Sequence, residues 1–127
     1  AEVRSALATP IASGENEYSL SGMHEMIEAK ACDILMPDLQ RIGGISEMRK
    51  VANLAESYNL PISTHIFTEH SLSVAGSVTN CLSVEHMPWF SKLFNEQIDV
   101  INGYIDIPER PGTGFTFNDS YIKQFII

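Results

Sequence analysis

No run of about 18 apolar residues occurs in the 127 positions, which excludes a membrane-spanning helix. Cysteine is scarce: Cys32 and Cys81 are the only two, and neither sits in a CxxC pair, so a reduced, cytoplasmic setting is expected. Basic residues are few, with eight Lys and Arg against sixteen Asp and Glu. The resulting net charge of −8 argues against nucleic acid and anionic membrane surfaces as partners. The four histidines show neither HxH nor HExxH spacing, so His24, His70 and His86 are read as surface or structural. Gly43-Gly44 lacks the Lys-Ser/Thr of a phosphate loop and reads as a backbone turn. The start, Ala1-Glu2-Val3-Arg4, has neither a secretion pattern nor an initiator Met, and Ala1 is not expected to be a natural start.

What is present is a repeat of short apolar runs and helical stretches. Pro10–Gly14 is an apolar run that ends at Glu15-Asn16, and Leu20, Met23, Ile27 and Ala31 follow at helical spacing. Ile34-Leu35-Met36 ends at Pro37-Asp38. Ser46 is placed to cap a helix whose stripe is Met48, Val51, Ala52 and Ala55. Leu60–His65 is a third candidate strand, a small-residue helix is expected across Leu72–Val78, and Leu82–Glu85 is a fourth strand. Strands alternating with helices imply parallel βαβ units, in a small open sheet or in part of a barrel. A whole (β/α)₈ barrel takes about 250 residues, twice what is here. Beyond Glu85 the pattern changes. Ile98–Ile107 with Asn102-Gly103 at its middle reads as a hairpin, Pro111–Gly114 as a turn, and Asn118 as the cap of a final helix through Phe125. Trp89 and Phe90 are assigned to packing or an interface, and the Asn118-Asp119-Ser120 sequon to chance. No linker or second domain interrupts residues 1–127.

Each candidate strand ends in an ionisable residue: Glu15, Asp38, His65 and Glu85, separated by 23, 27 and 20 residues. Each interval is close to one βα repeat, so a parallel sheet would gather all four at its C-terminal rim, where barrel chemistry sits. Apolar strands do not need charged ends, and buried charge is costly unless it is paired. A carboxylate accepting one imidazole N–H fixes the tautomer of the ring, so Asp38 and His65 suit a general base near neutral pH. Glu15 is a hard ligand of the kind Mg²⁺ takes. Glu85 could hold a proton and donate a hydrogen bond to a developing oxyanion.

Gly14-Glu15-Asn16, Met36-Pro37-Asp38 with Ile42-Gly43-Gly44, Ser63–Glu69, Ser83-Val84-Glu85 and Pro111–Gly114 together resemble the mandelate racemase group of the mandelate racemase/muconate lactonizing enzyme family, in the enolase superfamily. Order and spacing both match, from about residue 8 to the C-terminus. The resemblance implies an α/β fold: the C-terminal half of a TIM-type (β/α)₇β barrel, about four parallel βα units with a hairpin tail. It implies that Glu15 is the third metal carboxylate, that Asp38 and His65 are the dyad in which His65 moves the proton α to a carboxylate, and that Glu85 is the acid on the last strand. The cofactor it implies is Mg²⁺, and the substrate a small carboxylate, a hydroxy acid or acid sugar, undergoing racemisation or dehydration through an enediolate.

The same resemblance implies a lysine motif, two more metal carboxylates and a capping domain, all expected before residue 1. Lys30 and Lys50 fall in expected helices, and Lys92 and Lys123 in the tail, so none fits the lysine role. Little activity is therefore expected of residues 1–127 alone. The alternative expectation is a catalytically incomplete half barrel that self-associates through exposed strand edges, and a homo-oligomer is expected on either reading.

Overall fold

The computed structural model describes residues 1–126. Four short strands, β1 (Ala12–Ser13), β2 (Ile34–Leu35), β3 (Ile62–Thr64) and β4 (Cys81–Val84), pair in sequence order, and every pairing is parallel. The connections carry α2 (Ser19–Glu28), α3 (Leu39–Ile42), α4 (Ile45–Ser57) and α5 (Thr68–Ala75); α1 (Glu2–Ala6) precedes the sheet.

The strands are short, and their side chains divide between two unlike faces. Leu35 pairs with Ile62, and both are fully buried. They lie in a core with Met23 and Ile27 of α2 and with Met48, Val51, Ala52 and Ala55 of α4. Each large apolar side chain removed from water in this way stabilises the fold by about 1.5–3 kcal/mol. The two alanines of α4 keep that helix slim where it is packed. On the other side, Ala12 and Ser83 are exposed, and the Ser63 and Ser83 hydroxyls meet at 2.8 Å in a solvent-exposed contact. A doubly wound sheet carries helices on both faces. Here the helices cover one face and the strand order never reverses, which is the arrangement of a barrel wall. The fold is the α/β half barrel expected from the sequence.

Several local expectations change. Ser46 does not cap α4. Gly43 closes α3 in the left-handed conformation, with Gly44 N–H donating to the Leu39 carbonyl at 2.8 Å, and α4 restarts at once from Gly44. That leaves Ser46 inside the first turn. Ala31 and Lys30 fall just beyond α2 rather than within it. The helix expected across Leu72–Val78 begins earlier and ends at Ala75.

In the tail, the hairpin shrinks to one antiparallel bridge, Ile101–Tyr104, around Asn102 and Gly103, both at positive φ. Ile101 and Tyr104 are exposed, so the bridged pair gains little from burial that would lengthen the ribbon. Asn118 caps α6 (Asp119–Ile122) through the Tyr121 N–H, and a 3₁₀ turn, Lys123–Phe125, follows. Phe94 anchors the tail: it is buried among Phe67, His70, Phe115 and Phe117, with ring centroids 5.3–6.2 Å away. Phe90 packs edge-on against Phe67, whereas Trp89 is exposed.

Candidate active site

Backbone pairing runs on beyond the strands. Asp38 and His65 form an isolated parallel bridge, His65 N–H donating to the Pro37 carbonyl at 3.0 Å. Glu85 N–H donates to the Thr64 carbonyl at 3.0 Å, and Met36 N–H to the Ser13 carbonyl at 2.9 Å. These bonds set the ends of β1 to β4 side by side and carry Glu15, Asp38, His65 and Glu85 to one rim of the sheet.

Asp38 is 2% exposed, and both of its oxygens are engaged. Oδ1 accepts Gln40 N–H at 2.7 Å and Arg41 N–H at 3.1 Å, capping α3. Oδ2 lies 2.8 Å from His65 Nδ1. With Asp38 as the acceptor, Nδ1 carries the hydrogen and Nε2 is left to exchange protons. Nε2 faces Glu85 Oε2 at 3.7 Å, too far for a direct hydrogen bond. Glu85 Oε2 instead accepts Ile66 N–H at 3.2 Å. That amide points there because Ile66 and Phe67 turn the chain through positive φ values of 28° and 48°. A β-branched residue rarely adopts this conformation. The turn ends the parallel pairing at His65, one residue past β3, and sends Phe67 into the core.

Glu15 stands apart. Its carboxylate accepts only from its neighbours, Gly14 N–H at 3.2 Å and the Asn16 amide at 3.3 Å, and it has no hydrogen bond to Asp38, His65 or Glu85 among the described residues. Half-buried and without a cationic partner among those residues, it has the donor chemistry of a hard-cation ligand. One carboxylate is not a Mg²⁺ site, however. Among the described residues no group of three His, Cys, Asp or Glu side chains is placed to hold a metal ion. The structure thus brings Asp38, His65 and Glu85 together and leaves Glu15 on the same rim as a separate group.

Two residues near the rim were given no role by the sequence reading. Arg41 reaches from α3 to the Glu15 carbonyl at 2.6 Å and the Asn16 side-chain oxygen at 2.7 Å. Its position three residues after a capping Asp was the available signal. Glu69 is 2% exposed and its Oε2 has no hydrogen-bond partner among the described residues, yet Thr68-Glu69-His70 reads as an ordinary polar helix start. Neighbouring His70 lies among Phe67, Phe94 and Phe117. Burial pushes its pKa down, and the charge of Glu69 opposes the shift only in part.

The wall architecture and this rim define a class, the enolase-type barrel. Residues 1–121 match the enolase C-terminal domain-like family, and the chain belongs to it, within the mandelate racemase/muconate lactonizing enzyme group. It is similar to the D-xylonate dehydratase of Haloferax volcanii, with 39% identity across 98% of this chain and 32% of that protein. It is also similar to the L-talarate/galactarate dehydratase of Salmonella typhimurium, with 34% identity across 94% of this chain and 30% of that protein. The crystal structure of L-talarate dehydratase from Polaromonas sp., complexed with Mg and L-glucarate, superposes with a TM-score of 0.88 at 35% identity, covering 96% of this chain and 34% of that one. The chain therefore spans about a third of the length of the relatives it matches. Among the described residues, no helix is long and apolar enough to cross a membrane.

Proposed function

We propose that this chain carries the dyad side of an active site that removes the proton α to the carboxylate of an acid sugar, on the way to dehydration or isomerisation through an enediolate. The observation that carries the reading is the line Asp38–His65–Glu85 across three adjacent strand ends. The relatives are acid-sugar dehydratases and a cycloisomerase by name, which supports the substrate class.

In this reading Asp38 holds the imidazole by Nδ1–H, and Nε2 takes the proton from the α-carbon or returns it. The two backbone donors on Asp38 Oδ1 keep the carboxylate from rotating away, so the ring stays aimed across the rim. Glu85, fixed by the Ile66 amide, lies next to Nε2 and, when it holds a proton, is placed to donate a hydrogen bond to a substrate oxygen as negative charge develops there. A bound Mg²⁺ would supply positive charge that offsets the negative charge of an enediolate. Glu15 is the ligand this chain would contribute, and among the described residues no group of three His, Cys, Asp or Glu side chains is placed to complete the set.

The test is exchange of the α-proton of acid sugars in heavy water with Mg²⁺ present, followed by NMR. We expect slow exchange that His65→Asn abolishes and Glu15→Gln weakens. Exchange that survives His65→Asn would end this assignment.

A second reading rests on the open face and on the outer edges of β1 and β4, which pair with no further strand among the described residues. Unpaired parallel edges promote association, and self-association to a homo-oligomer is proposed on that ground. Light scattering that shows a stable monomer at high concentration would remove it.

A further inference from the structure

Arg41 uses its charge in an unusual way. The chain is acidic, with sixteen carboxylate side chains against eight basic ones. A guanidinium on a carboxylate-lined rim would ordinarily form a bidentate pair with one of them. Arg41 does not. Its Nη1 donates to the main-chain carbonyl of Glu15 at 2.6 Å and to the Asn16 side-chain oxygen at 2.7 Å. Among the described residues it forms no ion pair with any carboxylate. The other end of the residue is equally committed: its backbone N–H donates to Asp38 Oδ1 at 3.1 Å. One residue therefore joins the loop after β1 to the side chain that orients His65, and it leaves the Glu15 carboxylate un-neutralised.

We infer that Arg41 is a positioning residue that fixes the Glu15 loop relative to the Asp38–His65 pair while keeping the Glu15 carboxylate free for a cation. The inference rests on the reading of Glu15 given under the proposed function. Its physical content is a sign. If Arg41 acted only as a nearby positive charge, its removal would strengthen cation binding at Glu15, because like charges repel. If it acts by holding the loop, its removal weakens binding, because an ordered ligand becomes a mobile one.

The experiment is NMR on the 127-residue chain with Mn²⁺ as the probe, comparing Arg41→Gln, Arg41→Lys, Asn16→Ala and Glu15→Gln with the unaltered chain. Three signals are read: amide order at Glu15 and Asn16, the Mn²⁺ midpoint for broadening of those amides, and the hydrogen-bonded Nδ1–H proton of His65. For Arg41→Gln we expect loss of order at both amides, a midpoint raised several-fold and an unchanged His65 signal. Arg41→Lys recovers part of the loss, and Asn16→Ala shows a smaller loss, since the carbonyl contact remains. A midpoint that falls in Arg41→Gln, amides that stay ordered, or loss of the His65 signal along with the loop would each overturn the inference. If the unaltered chain and Glu15→Gln respond to Mn²⁺ identically, it is the metal reading of Glu15 that fails. The role of Arg41 is then decided by amide order alone, with unchanged order counting against it.

Discussion

Asp38 and Glu15 are both carboxylates at the ends of neighbouring parallel strands, yet they are held in opposite ways. Asp38 is sealed from water and accepts hydrogen bonds from two backbone amides and an imidazole. Glu15 is half-buried, its carboxylate accepts hydrogen bonds only from the residues on either side of it among the described residues, and its loop is tied down through a carbonyl by Arg41. The difference matches the tasks proposed for them. A group that orients a base must not move, so its oxygens are saturated. A group that offers an oxygen to an incoming cation must keep its lone pairs available.

The comparison is sharpest at Asp38. Asp38→Ala removes a helix cap and a buried partner of His65, and we expect a loss of about 3 kcal/mol in urea unfolding. A loss under about 1 kcal/mol would mean that the carboxylate is not the anchor its geometry describes. On the other strand, backbone rather than side chain does the holding. Gly14 has φ 133°, and a Cβ there would stand 3.2 Å from the Met36 amide nitrogen. Gly14→Ala should cost about 1–3 kcal/mol by the same measurement, and a neutral result would show that the loop tolerates displacement.

Two histidines five residues apart extend the contrast to pH. His65 is bonded to a carboxylate, whereas His70 lies in an aromatic cluster that lowers its pKa. A histidine whose folded pKa is depressed contributes stability that is present above the unfolded value of about 6.5 and is lost as pH falls through the folded one. Melting temperature should therefore drop as pH falls below about 6.5, and the slope should shrink in His70→Gln. An identical slope in that variant would place the acid sensitivity elsewhere. The smallest effect is expected at Glu15 itself. Glu15→Gln should change stability by less than about 0.5 kcal/mol, and a larger loss would show that the side chain is structural after all.

The sequence made the rim legible because strand-end residues recur at the repeat length of a βα unit, and parallel pairing converts that interval into adjacency. It made the core legible at Met48, Val51, Ala52 and Ala55, where helical spacing and burial coincide. It was less informative where a residue's role depends on what lies across from it. Ser46 has cap chemistry, but Gly43 ended the preceding helix so late that the cap position fell on Gly44. The Asn102-Gly103 turn formed as expected, but with its bridged pair exposed it held a single bridge. Arg41 and Glu69 are ordinary in sequence and gain meaning only from neighbours distant along the chain.

Because one side chain both caps α3 and holds the His65 imidazole, a lineage cannot alter Asp38 without also disturbing how the chain folds. Variation is thereby directed toward the Glu15 side chain, whose exchange is expected to leave the architecture intact. Drift in what the site accepts should therefore accumulate on the β1 side of the rim before it reaches β2.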